Sequence, residues 1–295
     1  MTAIASDAQQ NVDFYTGVLG LRLVKLTVNF DDPSSYHFYY GDTVGTPGTI
    51  LTFFSWPGAR RARDGHGVVE TTHLRVPVGS LDWWEERLQS AETQTVLQEG
   101  VLRFSDPDGL QLEMSEGETP NHVQPWTKVV PQQYALSGMR GVTLRVRTIE
   151  ATRAVLEAEL GLTPNGKSEW SASATGDFVR LTPDAGAPQA RTGSGGVHHI
   201  AFRSQSEEQQ ASWLNNLRAS GFHASPIMDR QYFRSIYFRE PSSVLFEIAT
   251  DEPGFAVDEP LESLGSSLRL PPQFESRRAE VETRLAPLRL PEVNR

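Results

Sequence analysis

The sequence contains no cysteine. Disulfide frameworks, thiolate zinc sites and cysteine nucleophiles all need that side chain, so these three kinds of chemistry are excluded. Metal binding and acid–base catalysis must instead come from the carboxylates and the seven histidines.

Long apolar runs and clustered basic residues are also missing. No stretch approaches the ~20 apolar residues that span a bilayer, and no basic region followed by an apolar run opens the sequence. The formal net charge of −10 is unsuited to contacting phosphate backbones. We therefore expect a soluble cytoplasmic protein whose partners include neither a membrane nor a nucleic acid.

A repeated segment is the strongest positive feature of the sequence. Residues 104–114 (FSDPDGLQLEM) align without a gap on residues 238–248 (FREPSSVLFEI). Each segment predicts a strand, a short turn at the proline and a second strand. Upstream of each lies a short predicted strand, at 72–76 and at 198–202.

A Trp-bearing amphipathic helix separates the short strand from the hairpin in both copies, at 80–89 and at 206–218. Ser80 and Ser206 are predicted N-caps, and Gly221 fits the end of the second helix. The element order strand, helix, strand, strand is therefore predicted twice.

A weaker repeat joins residues 15–23 to residues 156–164, each ending on Leu-Gly-Leu. Gly20 and Gly161 are predicted to end helices in the left-handed conformation. With the first repeat, this predicts four modules of β-α-β-β-β type that begin near residues 1, 70, 138 and 196.

These modules predict an α+β fold in which four βαβββ units pair into two domains. We expect an N-terminal domain at 1–118, a Pro-rich linker at 119–136 and a C-terminal domain at 137–250. A tail at 251–295 should carry one helix near 274–287. A parallel doubly wound sheet is disfavoured, because several strands follow each helix and no Gly-rich phosphate loop occurs.

The last module holds the residues best suited to chemistry. His198 and His199 open a strand, and because strand side chains alternate, only one is expected to point into a given cavity. Glu247 lies within the apolar strand LFEIA, where a carboxylate is costly unless paired, protonated or bound to a cation. One imidazole and one carboxylate form two thirds of a facial triad for Fe(II) or Mn(II). The alternative is an Arg–Glu247 ion pair beside an ordinary strand histidine.

Two further side chains precede Glu247. Arg230 and Tyr237 are predicted on the strands just before it, where a guanidinium and a phenol could hold an anionic oxygen or move a proton. Ordinary strand packing is the alternative for both. His37, which alternates with aromatic residues, is predicted to pack within a sheet.

The run Thr2–Asp42, with GTPGTILTFF (Gly45–Phe54), GGVHHIAF, DRQYFRSIYF and LFEIAT, resembles ring-cleaving dioxygenases that open hydroquinones. These enzymes belong to the vicinal oxygen chelate (glyoxalase, bleomycin resistance and dioxygenase) superfamily, and the resemblance spans essentially the whole chain. It implies the four-module fold, an Fe(II) cofactor and insertion of both atoms of O₂ beside a ring hydroxyl. By position, His199 and Glu247 match its metal ligands. His198, Arg230 and Tyr237 match residues that orient the substrate and oxygen.

One departure from that family concerns its third metal ligand. The family's chain begins with a segment ending in His-His-(Ile or Val)-Thr, whose second histidine binds the metal, whereas Met1 and Thr2 occupy the last two positions here. We expect the true start to lie upstream, with a GTG valine codon taken as the start. An upstream genomic sequence without an in-frame His-His would contradict this. The alternative is a site with two protein ligands and weakened iron binding.

Aligning the second module on the fourth places His73 at the position of His199 and Glu113 at that of Glu247. This pair is a candidate relic of duplication or weak second metal site. The alternative is a half-buried strand histidine beside a hydrogen-bonded carboxylate.

We therefore expect an Fe(II)-dependent dioxygenase, with Mn(II) as the other candidate metal, that acts with O₂ on hydroquinone or a related diphenol. Two alternatives keep the fold: a glyoxalase-like metal-dependent lyase or isomerase, and a non-catalytic binding protein. The sequence leaves homo-oligomerisation open.

Overall fold

The computed structural model describes residues 1–171 and 176–292, whose strands form two eight-stranded mixed sheets. In chain order the strands are β1 (Thr2–Ala5), β2 (Arg22–Val28), β3 (Tyr36–Gly41), β4 (Leu51–Ser55), β5 (Val68–Val76), β6 (Thr95–Gln98), β7 (Val101–Ser105), β8 (Gln111–Glu116), β9 (Met139–Val146), β10 (Thr163–Pro164), β11 (Glu169–Ser171), β12 (Phe178–Pro183), β13 (Val197–Ser204), β14 (Met228–Asp229), β15 (Arg234–Arg239) and β16 (Leu245–Thr250).

One helix follows the first strand of each module. These helices are α1 (Ala8–Val12), α2 (Leu81–Ser90), α3 (Ile149–Ala154) and α4 (Glu207–Ala219). In the first and third modules the helix continues as π-helical turns, at Asp13–Val18 and Val155–Glu159. Within the described ranges, no helix has both the length and the apolar character needed to cross a bilayer.

The order of the strands confirms the predicted α+β fold of four related modules. The first sheet runs β14-β15-β16-β13-β1-β4-β3-β2, and the second runs β10-β11-β12-β9-β5-β8-β7-β6. The first sheet therefore combines the first and fourth modules, and the second combines the two middle ones. In each sheet, the first strands of two modules pair antiparallel at the centre.

The sheets do not follow the halves of the chain. Residues 1–118 contribute strands to both sheets, as do residues 137–250. The division into an N-terminal and a C-terminal domain thus remains a prediction about the chain, whereas the hydrogen-bonded unit is a sheet shared by both halves. Residues 119–136 contain no helix or strand and connect the two middle modules, as a linker would.

Most of the predicted helix ends are confirmed. Gly20 and Gly161 both have φ of 69° and Gly221 has φ of 86°, which is the left-handed region that glycine adopts without strain. The Ser206 side chain accepts a hydrogen bond from the backbone N–H of Gln209, as an N-cap does.

Ser80 occupies the predicted N-cap position of α2 but does not cap the helix. Its hydroxyl donates to the carbonyl of Pro77, and the carboxylate of Glu116 accepts the first backbone N–H groups of the helix instead. A carboxylate at that end satisfies the free N–H groups and opposes the positive end of the helix dipole.

The tail packs on the outside of the first sheet, but its predicted single helix is two short ones, α5 (Pro272–Glu275) and α6 (Arg278–Arg284). Val281 and Leu285 of this segment pack against Val28 of β2 in a small apolar cluster. Part of the tail therefore covers the edge strand of the first sheet, which would otherwise expose unpaired backbone groups.

A β-bulge at His198 aims side chains at the candidate site. In the pairing of β1 with β13, Thr2 lies opposite His199 but Ala3 lies opposite Val197, so His198 is the extra residue. A bulge interrupts the strict alternation of a strand. The expectation that only one of the two histidines points into a given cavity is therefore wrong: both imidazole rings contact Phe54, which lines the cavity.

Candidate metal centre and substrate cavity

His199 and Glu247 meet at the centre of the first sheet. They lie on the neighbouring parallel strands β13 and β16, and His199 Nε2 is 3.0 Å from Glu247 Oε2. Both side chains are buried. The structure therefore brings together the two residues that the sequence assigned to a metal.

The carboxyl group of Glu247 is held in its charged form. Burial raises the pKa of Glu247, but the facing His199 imidazole and hydrogen bonds to the carboxylate outweigh burial and bring the pKa to about 2. Ser235 donates one of these hydrogen bonds, to Oε1. At neutral pH the site presents a fixed negative charge, which favours a cation.

His198 orients the imidazole of His199. The Nδ1 atoms of the two rings are 2.8 Å apart, so one ring must donate its proton to the other. Burial, followed by the proximity of His199, lowers the pKa of His198 to about 4, so its ring is neutral at neutral pH. When His199 donates from Nδ1, its Nε2 keeps a free lone pair toward Glu247, which is the tautomer that a metal ligand needs.

The donor atoms fit a divalent cation. An imidazole lone pair and a charged carboxylate oxygen that face each other at 3.0 Å need a proton or a cation between them. Neighbouring ligands of an octahedral ion lie about 3.0 Å apart when each bond is about 2.1 Å. His199 and Glu247 would thus hold two positions. Among the described residues, no group of three or more His, Asp or Glu side chains is placed to bind a metal.

Arg230 and Tyr237 lie beside this pair. Tyr237 lies on β15, a strand just before Glu247 as predicted. The structure places it directly opposite Glu247, and its ring packs against His199. Arg230 is in the turn between β14 and β15 and not on a strand, because the chain reverses there to start the hairpin. Its Nε donates to the Tyr237 hydroxyl at 3.4 Å, and its Nη2 is 3.1 Å from a carboxylate oxygen of Asp31.

The charge states of these two side chains differ. Burial, reinforced by the charge of Glu247, raises the pKa of Tyr237 far above neutral pH, so the phenol keeps its proton. Arg230 remains a guanidinium cation, as arginine does throughout the neutral range. The site therefore offers one fixed cation and one neutral O–H donor next to the candidate metal ligands.

A cavity of ≈ 950 Å³ opens over this centre. Phe54 and Trp56 form a flat wall with their rings stacked at 5.9 Å and 3°, and the His198 ring meets both edge-on. Apolar walls with a few converging polar groups are typical of sites for small organic ligands. The other large apolar side chains that line the cavity include Phe30, Ile50, Phe233, Leu245 and Phe255.

The middle modules contain a near copy of the centre. His73 Nδ1 lies 3.0 Å from Glu113 Oε2, and the Thr143 hydroxyl bonds His73 Nε2 at 2.8 Å. Arg103 lies opposite Glu113 where Tyr237 lies opposite Glu247, and its Nε donates to the carboxylate at 2.8 Å. A guanidinium thus neutralises Glu113, and neither His73 nor Glu113 is among the residues that line the large cavity.

We expect Glu113→Gln to leave metal content unchanged, because Arg103 already satisfies the carboxylate that a cation would need. Metal bound per chain after loading with Fe(II) and gel filtration measures this. A fall in metal content comparable to that caused by a change at Glu247 would instead make His73 and Glu113 a second metal site.

The fold and the centre define a class of protein: paired βαβββ modules that place an imidazole and a carboxylate, from neighbouring strands, in a cavity between curved sheets. The family model of the glyoxalase/bleomycin resistance protein/dioxygenase superfamily matches residues 1–114 and 138–248. The chain belongs to this superfamily.

Similar proteins lie in its dioxygenase branch. The chain is 42% identical to “Putative ring-cleaving dioxygenase MhqO” of Bacillus subtilis, with 100% of this chain and 97% of the relative covered. It is 32% identical to the chlorohydroquinone/hydroquinone 1,2-dioxygenase of Sphingobium indicum, with 95% and 93% covered. The expected class of enzyme, a ring-cleaving dioxygenase, is confirmed by these relatives.

Solved structures agree at the level of the fold. A crystal structure titled as a putative dioxygenase from Bacillus subtilis superposes with a TM-score of 0.92 at 42% identity, covering 99% of this chain and 97% of that one. Maize glyoxalase I shares the fold at a TM-score of 0.64 and 14% identity, with 85% of this chain and 90% of that one covered.

Three polar residues of the cavity were not predicted as site residues. Thr2, His37 and Thr52 are buried and line the cavity, and His37, which packs within β3 as predicted, also bonds the Thr52 hydroxyl. The available signal was the alternation in YHFYYG, where His37 and Tyr39 share one face of β3 while Phe38 and Tyr40 share the other.

Proposed function

We propose that this chain is an Fe(II)-dependent dioxygenase that opens the ring of hydroquinone or a related diphenol with O₂. The relatives named as ring-cleaving dioxygenases support the reaction type, and the name of the Sphingobium indicum enzyme supports a hydroquinone as substrate. Iron is supported by the ligand types, since imidazole and carboxylate with open positions suit non-heme Fe(II).

The observation that carries the proposal is the 3.0 Å approach of His199 Nε2 to Glu247 Oε2 on the wall of an aromatic-lined cavity. A stable ion pair with an arginine, which was the alternative role for Glu247, is absent among the described residues. The carboxylate instead faces an imidazole and a hydroxyl, which leaves it able to hold a cation.

The chain's own residues would divide the remaining work. When bound, Fe(II) supplies a redox-active cation at which a diphenol oxygen and O₂ can meet. Arg230 would attract the anionic oxygen of the substrate, and Tyr237, which keeps its proton, would donate a hydrogen bond to an oxygen. The neutral ring of His198 can accept a proton or a hydrogen bond, and the Phe54–Trp56 wall would set the plane of the aromatic ring.

The test is anaerobic loading with Fe(II), or with Mn(II) in parallel, followed by O₂ uptake with hydroquinone. We expect one O₂ consumed per hydroquinone and a ring-opened acid as product. The chain should be compared with a version carrying His-His ahead of Met1, which supplies the third ligand that the family resemblance implies and should retain more iron.

Hydroquinone-independent O₂ uptake, or no uptake in either version despite bound iron, would contradict the proposal. Isomerase activity with Ni(II) or Zn(II) would assign the site to a glyoxalase-like reaction. Tight diphenol binding without turnover would assign it to a binding protein.

A further inference from the structure

A row of hydrogen-bonded side chains leads from β3 to the candidate metal centre. The Tyr39 hydroxyl lies 3.0 Å from His37 Nδ1, and His37 Nε2 lies 3.0 Å from the Thr52 hydroxyl. Thr52 donates to the Thr2 hydroxyl at 2.7 Å, and Thr2 Oγ1 lies 2.7 Å from His199 Nε2. All five side chains are buried in the wall of the cavity.

Only one direction of donation gives every hydrogen in the row from Tyr39 to Thr52 an acceptor. If every donor points toward His199, Tyr39 donates to His37, His37 donates from Nε2 to Thr52, and each threonine hydroxyl donates onward. If every donor points the other way, the Tyr39 hydroxyl must accept from His37, and its own hydrogen has no other partner among the described residues. A buried hydroxyl hydrogen without an acceptor is costly, so the first direction is favoured.

We propose that His37 is a positioning residue which, as the neutral Nε2–H tautomer, turns the hydroxyl hydrogens of Thr52 and Thr2 toward the centre. Thr2 then presents an O–H donor to the site. In the metal-free chain the Thr2 hydroxyl and Glu247 share His199 Nε2, at 2.7 Å and 3.0 Å. In the loaded enzyme, where His199 Nε2 would bind the metal, the Thr2 O–H would donate to an oxygen of the bound diphenol. The last statement rests on the proposed function, whereas the tautomer does not.

The surroundings of His37 agree with a neutral ring. Burial, and then the neighbouring His199, lowers the pKa of His37 well below its usual value. The rings of Tyr39 and Phe54 pack against it with centroids 4.1 Å and 4.4 Å away. A ring held on two sides and bonded at both nitrogens can fix a tautomer, because each nitrogen already has a defined hydrogen-bond partner.

The tautomer is measured on metal-free protein. Long-range ¹H–¹⁵N spectra of histidine-labelled chain at pH 7 report which ring nitrogen carries the proton, and His37→Gln identifies the His37 signal by its loss. We expect His37 to be protonated at Nε2 alone. Protonation at Nδ1 would overturn the proposal.

Tyr39→Phe removes the hydroxyl that fixes the direction and little else. We expect His37 in this variant to populate both tautomers, and turnover to fall about two- to tenfold, the equivalent of one neutral hydrogen bond, with KM and iron content unchanged. Tyr40→Phe is the matched control. Tyr40 is the adjacent, equally buried tyrosine of β3, and its hydroxyl donates to Asn11 on the opposite face, so both readouts should stay as in the parent chain.

If Tyr39→Phe shows the same His37 spectrum as Tyr40→Phe, His37 is not oriented by Tyr39 and the proposal fails. Absence of O₂ uptake in every variant would contradict the dioxygenase proposal but not the proposal about His37, because the His37 tautomer is measured without metal or substrate.

Discussion

Glu247→Gln is expected to lower the affinity for iron by more than about 100-fold. Hydroquinone-dependent O₂ uptake should fall by a similar factor. Loss of an outer hydrogen-bond partner already costs 10–100-fold in metal affinity, so loss of a ligand should cost at least as much. Glutamine keeps the size of the side chain and leaves an oxygen for Ser235 but takes away the negative charge. The charge is the property that the centre depends on, since the pKa of Glu247 is held at about 2 and the group is fully ionised at neutral pH.

Iron per chain after anaerobic loading, O₂ uptake and circular dichroism together test this expectation. Glu113→Gln is the matched control, because Glu113 also lies 3.0 Å from a buried histidine, His73, but is bonded to Arg103. A Glu247→Gln chain that folds and retains iron as the parent does would show that the metal, if any, lies elsewhere.

Lys25→Met is expected to lower the free energy of unfolding by about 3–5 kcal/mol, as removal of one partner from a buried ion pair does. Lys25 is fully buried on β2, and its Nζ lies 2.6 Å from Asp258 Oδ1 and 2.5 Å from Glu259 Oε2. Glu259 is also fully buried. Methionine fills the space of the lysine stem but removes the nearest cation from both carboxylates, and Glu259 keeps only Arg269, whose Nε is 3.3 Å away. A buried carboxylate that loses its nearest cation is more costly than the original pair.

The same cluster supports the substrate side of the cavity. Asp258 accepts hydrogen bonds from Tyr232 and Gln231, which adjoin Arg230 in the turn between β14 and β15. Lys25→Met should therefore also weaken diphenol binding through a less well fixed Arg230.

Urea denaturation of the metal-free chain measures the change in stability. Arg277→Met is the control, because Arg277 pairs with Glu280 on the exposed face of the tail and such pairs contribute little. Its unfolding midpoint should match that of the parent within error. A Lys25→Met midpoint equal to that of the control would refute the expectation.

Much of the fold could be predicted from the sequence because its modules repeat. The gapless alignment of residues 104–114 on 238–248 predicted two hairpins, and both occur, as β7–β8 and β15–β16. The glycines Gly20, Gly161 and Gly221 marked helix ends because few other residues adopt their backbone conformation. The tail at 274–287 was predicted as one helix but forms two short ones. An amphipathic pattern does not reveal where a helix is interrupted.

A candidate metal ligand could also be predicted from its local sequence. A carboxylate inside the apolar strand LFEIA requires a compensating partner wherever that strand lies, so the sequence alone marks Glu247 as a candidate ligand. The prediction that Arg230 lies on a strand was wrong, since Arg230 lies in the turn between β14 and β15. Strand boundaries near a tight turn are set by hydrogen bonds and not by residue type.

The sequence by itself determined the modules, their internal order and the residue types available for chemistry, because these depend on periodicity and on properties of single side chains. The tertiary structure alone decided that the first module pairs with the fourth, since β1 and β13 are almost 200 residues apart and no local pattern encodes their register. That pairing creates the bulge at His198 and sets Thr2 against His199. The polar row through His37 exists for the same reason: hydrogen bonds between strands are fixed by register, which only the assembled sheet defines.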